Sequence, residues 1–192
     1  MGEKICFPPR GDRETNVQWT FVERQRGETP MEVFPKGISL MDKKILFVCT
    51  GNTCRSVMAQ GLLRKMLSEE GVENVKVNSA GVAALPSYGI YGILEKVLKE
   101  EGIEITNHKP TQVTSDMVRD ADLILVMERR QKEAILEMAP EVANRMFLLK
   151  EFAGEKENLD IPDPIGQPEE VYRKRLEEIK EYLLKILEKI LE

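Results

Sequence analysis

Cysteine is scarce in this chain: three residues in 192, at positions 6, 49 and 54. So few, and an odd number, make no disulfide framework and point to a reducing compartment. Long apolar runs are missing as well. None approaches 18 residues, and the N-terminus lacks the apolar core of a signal peptide. These absences argue against a membrane-spanning helix and a secretory leader, so the expectation is a cytoplasmic protein with no membrane partner. A surplus of one charge sign is also lacking. Charged residues are 32% of the chain, yet the net charge is only −5, which argues against a nucleic-acid partner held by phosphate neutralisation. With 42% apolar residues, the chain is long enough for one domain with a real core and is not of disordered composition.

The first forty residues differ from the rest. They hold four of the ten prolines and the only tryptophan, Trp19, and their six basic residues cancel six acidic ones. Val17, Trp19 and Phe21 alternate as in a short strand, and no other periodicity is visible. Residues 1–40 therefore read as an N-terminal extension, flexible or loosely docked. Met41, just before the first core strand, also allows an upstream start that adds nothing to the fold. Residues 41–192 form the second unit.

From Met41 onward strand and helix signals alternate. "KILFVC" (44–49) is a continuous apolar run, the mark of a strand buried on both faces. Met58, Leu62, Leu63, Met66 and Leu67 recur at helical spacing before Gly71, which suits a helix C-cap. Residues 75–82 read as a second strand. Residues 86–101, with Ile90, Leu94 and Leu98, read as a helix ending at Gly102. "ADLILVM" (121–127) is another buried strand with helical sequence on either side, and "RMFLLKEF" (145–152) is a fourth. From Glu169, the residues Tyr172, Leu176, Ile179, Leu183, Ile186 and Ile190 make one apolar stripe, expected to pack on the sheet. Such alternation implies an α/β fold, a parallel sheet covered by helices. Reactive loops in such sheets lie beyond the carboxyl ends of the strands, and Cys49 sits at one.

Cys49, Arg55 and Ser56 have the spacing Cys-x5-Arg-Ser between a buried strand and a helix. A short loop entering a helix turns several backbone N–H groups inward and adds the positive end of the helix dipole. Gly51 permits close backbone approach, and Asn52 tolerates a left-handed turn. Arg55 brings a planar fork matched to two oxygens of a tetrahedral dianion. The product is a phosphate cradle spanning Thr50, Gly51, Asn52, Thr53, Cys54 and Ser56, with Cys49 beneath it. The same positive surroundings favour a thiolate, the nucleophilic form of cysteine, and Ser56 is placed to donate to it. The plain alternative is a small buried cysteine ending a strand. A thiophosphate route also needs a general acid, later a base for water. Asp163 in "DIPDPIG" (160–166) is the candidate, held out of a helix by Pro164. Asp160 competes with it, and an ordinary Asp-Pro turn is the structural reading.

"VCTGNTCRSVMA", together with "NSAG" (78–81), "ADLILVM" and "DIPDPIG", resembles the low-molecular-weight protein tyrosine phosphatase family from about Lys43 to the C-terminus. The resemblance implies a four-stranded parallel sheet with helices on both faces, no metal and no cofactor. It also implies a two-step reaction on phosphorylated proteins through phosphocysteine. Cys49 would be the nucleophile, Arg55 the phosphate clamp and Asp163 the acid and then base. Asn52, Ser56, Ser79 and His108, the only histidine, would brace the phosphate loop.

Three branches of that family are distinguishable. Its tyrosine phosphatases commonly carry Ile where this chain has Thr53, and aromatic residues after the Asp-Pro where it has Ile165 and Gly166. "CTGNTCRS" instead resembles the protein arginine phosphatases, where a threonine at that position selects phosphoarginine. A hydroxyl accepts from guanidinium N–H donors that an Ile side chain only crowds. Thioredoxin-coupled arsenate reductases have a similar loop, but need two further cysteines late in the chain, and none follows Cys54. Cys54 itself reads in two ways: a partner for a protective, redox-sensitive disulfide with Cys49, or a small side chain packed at the helix start.

Overall fold

The computed structural model describes residues 42–191 apart from Tyr88, Ile90, Tyr91 and Thr106. The N-terminal extension and its alternating Val17, Trp19 and Phe21 lie outside the described residues. Strand β1 (Lys43–Cys49) is the apolar run of the loop motif, and its last five residues are buried. It pairs in parallel with β2 (Val75–Gly81) on one side and β3 (Leu123–Val126) on the other. β3 pairs in parallel with β4 (Met146–Leu148), so the strand order is β2-β1-β3-β4.

Successive residues of a strand face opposite sides of the sheet, and β1 uses both. Ile45, Phe47 and Cys49 join a core with residues of α1 (Arg55–Glu69), α2 (Gly92–Glu100) and α6 (Glu169–Leu191). Leu46 and Val48 join a second core with Val118 of α3 (Ser115–Asp120) and Ile135 of α4 (Arg129–Met138). Helices thus cover both faces, which is why the strands read as continuous apolar runs. The α6 stripe is buried from Tyr172 to Ile190 against the first core. Among the described residues no helix is long and apolar enough to cross a membrane.

Two glycines end helices as their positions predict. Gly71 and Gly102 take positive φ, 69° and 72°. At the second, Gly102 N–H donates to Lys99 O and Ile103 N–H to Leu98 O, both at 2.9 Å, the paired bonds of a Schellman cap. Two expectations need correction. Of the helix read over 86–101, the described residues show α2, while Pro86 lies in a turn and Ile90 lies outside the described residues. The strand read over 145–152 stops at Leu148, and Leu149–Phe152 is a helical turn, α5. There Glu151 Oε2 accepts from Leu148 N–H at 3.0 Å, a local cap that turns the chain where apolar content alone suggested extension.

The chain leaves β1 for β2 on one side and later crosses to β3 on the other. The order therefore reverses at β1, and the loop after Cys49 opens at that switch point, where ligand crevices of open α/β sheets form.

Candidate active site

Strand β1 delivers Cys49 to the sheet edge, and the chain turns through residues 50–54 before α1 begins at Arg55. Asn52 makes the turn with φ 53°, a conformation that Asn tolerates better than most residues. Its backbone N–H then points back at Cys49 Sγ, 3.3 Å away. The loop is fastened to the strand beside it: Val82 N–H donates to Cys49 O at 3.0 Å and Ala83 N–H to Thr50 O at 2.9 Å. Gly81 makes this closeness possible. A Cβ there would lie 2.5 Å from Thr50 O and 2.8 Å from Asn52 N.

Hydrogen-bond directions around Asn52 follow from one backbone donor. Thr111 N–H can only donate, and it reaches Asn52 Oδ1 at 2.9 Å, so Asn52 Nδ2 must face the other way. Nδ2 donates to Ser56 Oγ at 3.0 Å and to Ser79 Oγ at 2.9 Å. Both hydroxyls accept there and keep their own protons. Ser79 donates to Gln60 Oε1 at 2.8 Å, and the Ser56 hydroxyl lies 3.0 Å from Cys49 Sγ, where it can donate to a thiolate. His108 Nε2 lies 2.8 Å from Asn52 O; a carbonyl only accepts, so this nitrogen carries the hydrogen. Asn52, Ser56, Ser79 and His108 thus come together as expected, with Thr111 and Gln60 closing the network.

Arg55 is fully buried. Its NH1 donates to Ile161 O and pairs with Glu128 Oε2, both at 2.8 Å, and its NH2 pairs with Asp163 Oδ2. Burial pulls the guanidinium pKa down, but the Cys49 sulfur, Asp163 and Glu128 outweigh it, and the net shift is upward. Of its other donors, Nε is buried and has no partner among the described residues. A buried N–H without an acceptor is costly, and here it belongs to the residue heading the helix behind the Cys49 loop. An anion in the cradle would satisfy it. Asp163, 108 positions from Arg55 in sequence, is brought to the site, and its Oδ1 accepts from Ile165 N–H at 3.2 Å across Pro164. Asp160 is engaged elsewhere, accepting from Arg129 N–H at 2.8 Å at the start of α4. The geometry separates the two candidate acids.

Thr53 is 6% exposed, and its Oγ1 makes no hydrogen bond among the described residues. Cys54 is buried in the first core. Burial pushes its thiol pKa far up, and the negative Cys49 and Asp163 add to that. Sequence reasoning missed Glu128, Gln131 and the Ile161 carbonyl as partners of the loop. Glu128 carried a legible signal, since it stands just beyond the carboxyl end of β3. Gln131, a turn into α4, carried none.

A loop headed by Cys49, a buried arginine with an unused donor and a carboxylate paired with that arginine can together handle a phosphate. Comparison with known proteins agrees. Residues 44–192 match the family described as low molecular weight phosphotyrosine protein phosphatase. The protein-arginine-phosphatase of Geobacillus stearothermophilus is 39% identical over 150 residues, 78% of this chain and 97% of that protein. The probable low molecular weight protein-tyrosine-phosphatase EpsP of Ralstonia nicotianae is 42% identical over 143 residues, 74% of this chain and 88% of that protein. A solved structure of the YwlE arginine phosphatase, a cysteine-to-serine mutant with a phosphorylated active site serine, superposes with a TM-score of 0.73 at 33% identity, covering 78% of this chain and 96% of its own. Family match, sequence identity and shared fold coincide, and this chain belongs to the low molecular weight phosphotyrosine protein phosphatase family.

Proposed function

We propose that the protein hydrolyses phosphoarginine in phosphorylated proteins through a phosphocysteine intermediate. The observation that carries the reading is Arg55: buried, paired with Asp163, and left with an unused Nε donor at the loop of Cys49. In the first step the Cys49 thiolate attacks phosphorus. An S–P bond forms and the P–N bond to the guanidine breaks, while Asp163 protonates the departing nitrogen. Arg55 and the loop N–H groups hold the phosphoryl oxygens through the transition state. In the second step water attacks phosphorus, Asp163 takes its proton, and the P–S bond breaks to release phosphate and the thiolate. Ser56, whose hydroxyl can donate to Cys49 Sγ, stabilises that leaving sulfur.

Thr53 supports the choice of substrate. Its hydroxyl is unspent within the described residues, so it is free to accept from a guanidinium N–H. The phosphorylated serine of the YwlE relative supports the covalent step. Phosphotyrosine is the second reading, favoured by the 42% identity to EpsP, a probable tyrosine phosphatase. Rates on phosphoarginine and phosphotyrosine peptides, for wild type and Thr53→Ile, separate the two. We expect wild type to prefer phosphoarginine and the substitution to reverse the ratio by about tenfold or more. A wild-type preference for phosphotyrosine overturns the choice of substrate, and an unchanged ratio overturns the role of Thr53.

A further inference from the structure

Gln131 lies on the first turn of α4 and is fully buried. All the bonding capacity of its amide is used. Oε1 accepts from Met127 N–H at 2.9 Å and Glu128 N–H at 3.0 Å. Two backbone donors fix that end of the amide as the oxygen, so Nε2 has to face the site. It donates to Thr50 Oγ1 at 3.1 Å and to Glu128 Oε2 at 2.8 Å. One side chain thus touches both halves of the phosphate cradle: the loop after Cys49 through Thr50, and Arg55 through Glu128.

The second connection matters more. Glu128 Oε2 receives Arg55 NH1, Arg130 NH2 at 2.9 Å and Gln131 Nε2. Arg130 is a largely exposed side chain that reaches Glu128 Oε2 through Nε as well, at 3.2 Å, and Thr50 Oγ1 at 3.5 Å, so solvent competes for its bonds. Gln131 is buried with every bond spent, and it is the only one of these three donors held in place by the backbone at the end of β3. From this we infer that Gln131 is a positioning residue: it holds the Glu128 carboxylate against Arg55 NH1, so that Arg55 Nε stays aimed at the phosphoryl group. The inference rests on the phosphate site proposed above and assigns Gln131 no contact with substrate.

The test uses Gln131→Glu. A carboxylate keeps both backbone N–H bonds, so the turn into α4 is preserved, but it replaces the donor facing Glu128 with a like charge. The expected result is a KM for p-nitrophenyl phosphate and a Ki for inorganic phosphate that both rise about tenfold or more, since a charge-assisted bond is lost from the clamp. Thermal unfolding shows whether the variant is folded. Because the variant also brings two carboxylates together, the exchange Glu128→Gln/Gln131→Glu supplies the second arm. There the amide introduced at position 128 offers its oxygen to Arg55 and its N–H to the carboxylate introduced at position 131, restoring donor, acceptor and total charge. Recovery of the phosphate Ki to within about threefold of wild type is expected. An unchanged Ki in folded Gln131→Glu, or an exchange no better than the single variant, overturns the inference. Wild type with no turnover of p-nitrophenyl phosphate overturns the phosphatase reading instead.

Discussion

Replacing Gly81 by alanine is the sharpest perturbation of the phosphate loop that leaves every functional side chain in place. Gly81 ends β2 beside Cys49, its registered partner in β1. An added Cβ would stand 2.5 Å from Thr50 O, 2.8 Å from Asn52 N and 2.9 Å from Gly51 C. All three are backbone atoms, so no rotamer change relieves the clash. Moving Thr50 O from 2.5 Å to an ordinary contact of 3.4 Å requires a retreat of about 0.9 Å. Asn52 N would have to retreat by about 0.6 Å, and its N–H, now 3.3 Å from Cys49 Sγ, would be displaced from that contact. Strand β2 cannot yield in the loop's stead: Gly81 N–H donates to Thr111 O at 2.9 Å, and Gly81 O accepts from Val113 N–H at 2.8 Å.

Misplacing a catalytic constellation by about 1 Å costs roughly 10²-fold in rate, while overpacking one methyl costs about 1–3 kcal/mol of stability. Gly81→Ala is therefore expected to lose about 10²-fold in kcat on p-nitrophenyl phosphate and to lower Tm by roughly 3–10 °C. Gly92→Ala is the control, since an added Cβ there meets nothing within 4 Å, and it should match wild type. Steady-state kinetics with a thermal melt on each variant make the test. A folded Gly81→Ala with kcat within about twofold of wild type refutes the reasoning.

Three other expectations concern the acid and the second cysteine. Asp163→Asn should lower kcat by about 10²-fold or more on phosphoarginine peptides and much less on p-nitrophenyl phosphate, whose leaving group needs little protonation; equal losses on both would deny Asp163 the acid role. Burial holds the Cys54 thiol pKa above its unfolded value, so its contribution to stability is complete below the ordinary thiol pKa and lost as pH rises beyond it. The stability difference between wild type and Cys54→Ala in urea should shrink above about pH 8.5, by up to about 1.4 kcal/mol per pH unit. For the same reason Cys54 is a poor thiolate donor near neutrality, and Cys54→Ser should recover from peroxide as wild type does once thiol is added.

What could be read from the sequence divides by how far apart the interacting residues lie. Cys49, Asn52, Arg55 and Ser56 sit within eight positions, and their placements follow from chain geometry alone: a strand end, a left-handed turn, a helix start. The apolar runs at 44–49 and 121–127 announce strands buried on both faces because burial acts on each residue separately. The strand expected over 145–152 is present as β4 but stops at Leu148 for a local reason. Glu151 reaches back to Leu148 N–H, and one side-chain bond turns a run that hydropathy leaves ambiguous. Asp163 is preferred through the family resemblance; spacing alone cannot separate it from Asp160, because the difference is which partner each meets, Arg55 or the Arg129 N–H. Gly81 is the clearest case. It has no positive φ and no local turn demanding glycine; its constraint is the carbonyl of Thr50, 31 positions away in sequence and 2.5 Å from where a Cβ would be. Gln131 follows the same logic from the other side: its bond to Glu128 is local, but its bond to Thr50, 81 positions away, forms only once β1 and β3 lie side by side. The chemistry of the loop is written locally, but its shape is set by the strands on either side of it, and variants at those outer positions should alter phosphate binding without touching a reacting atom.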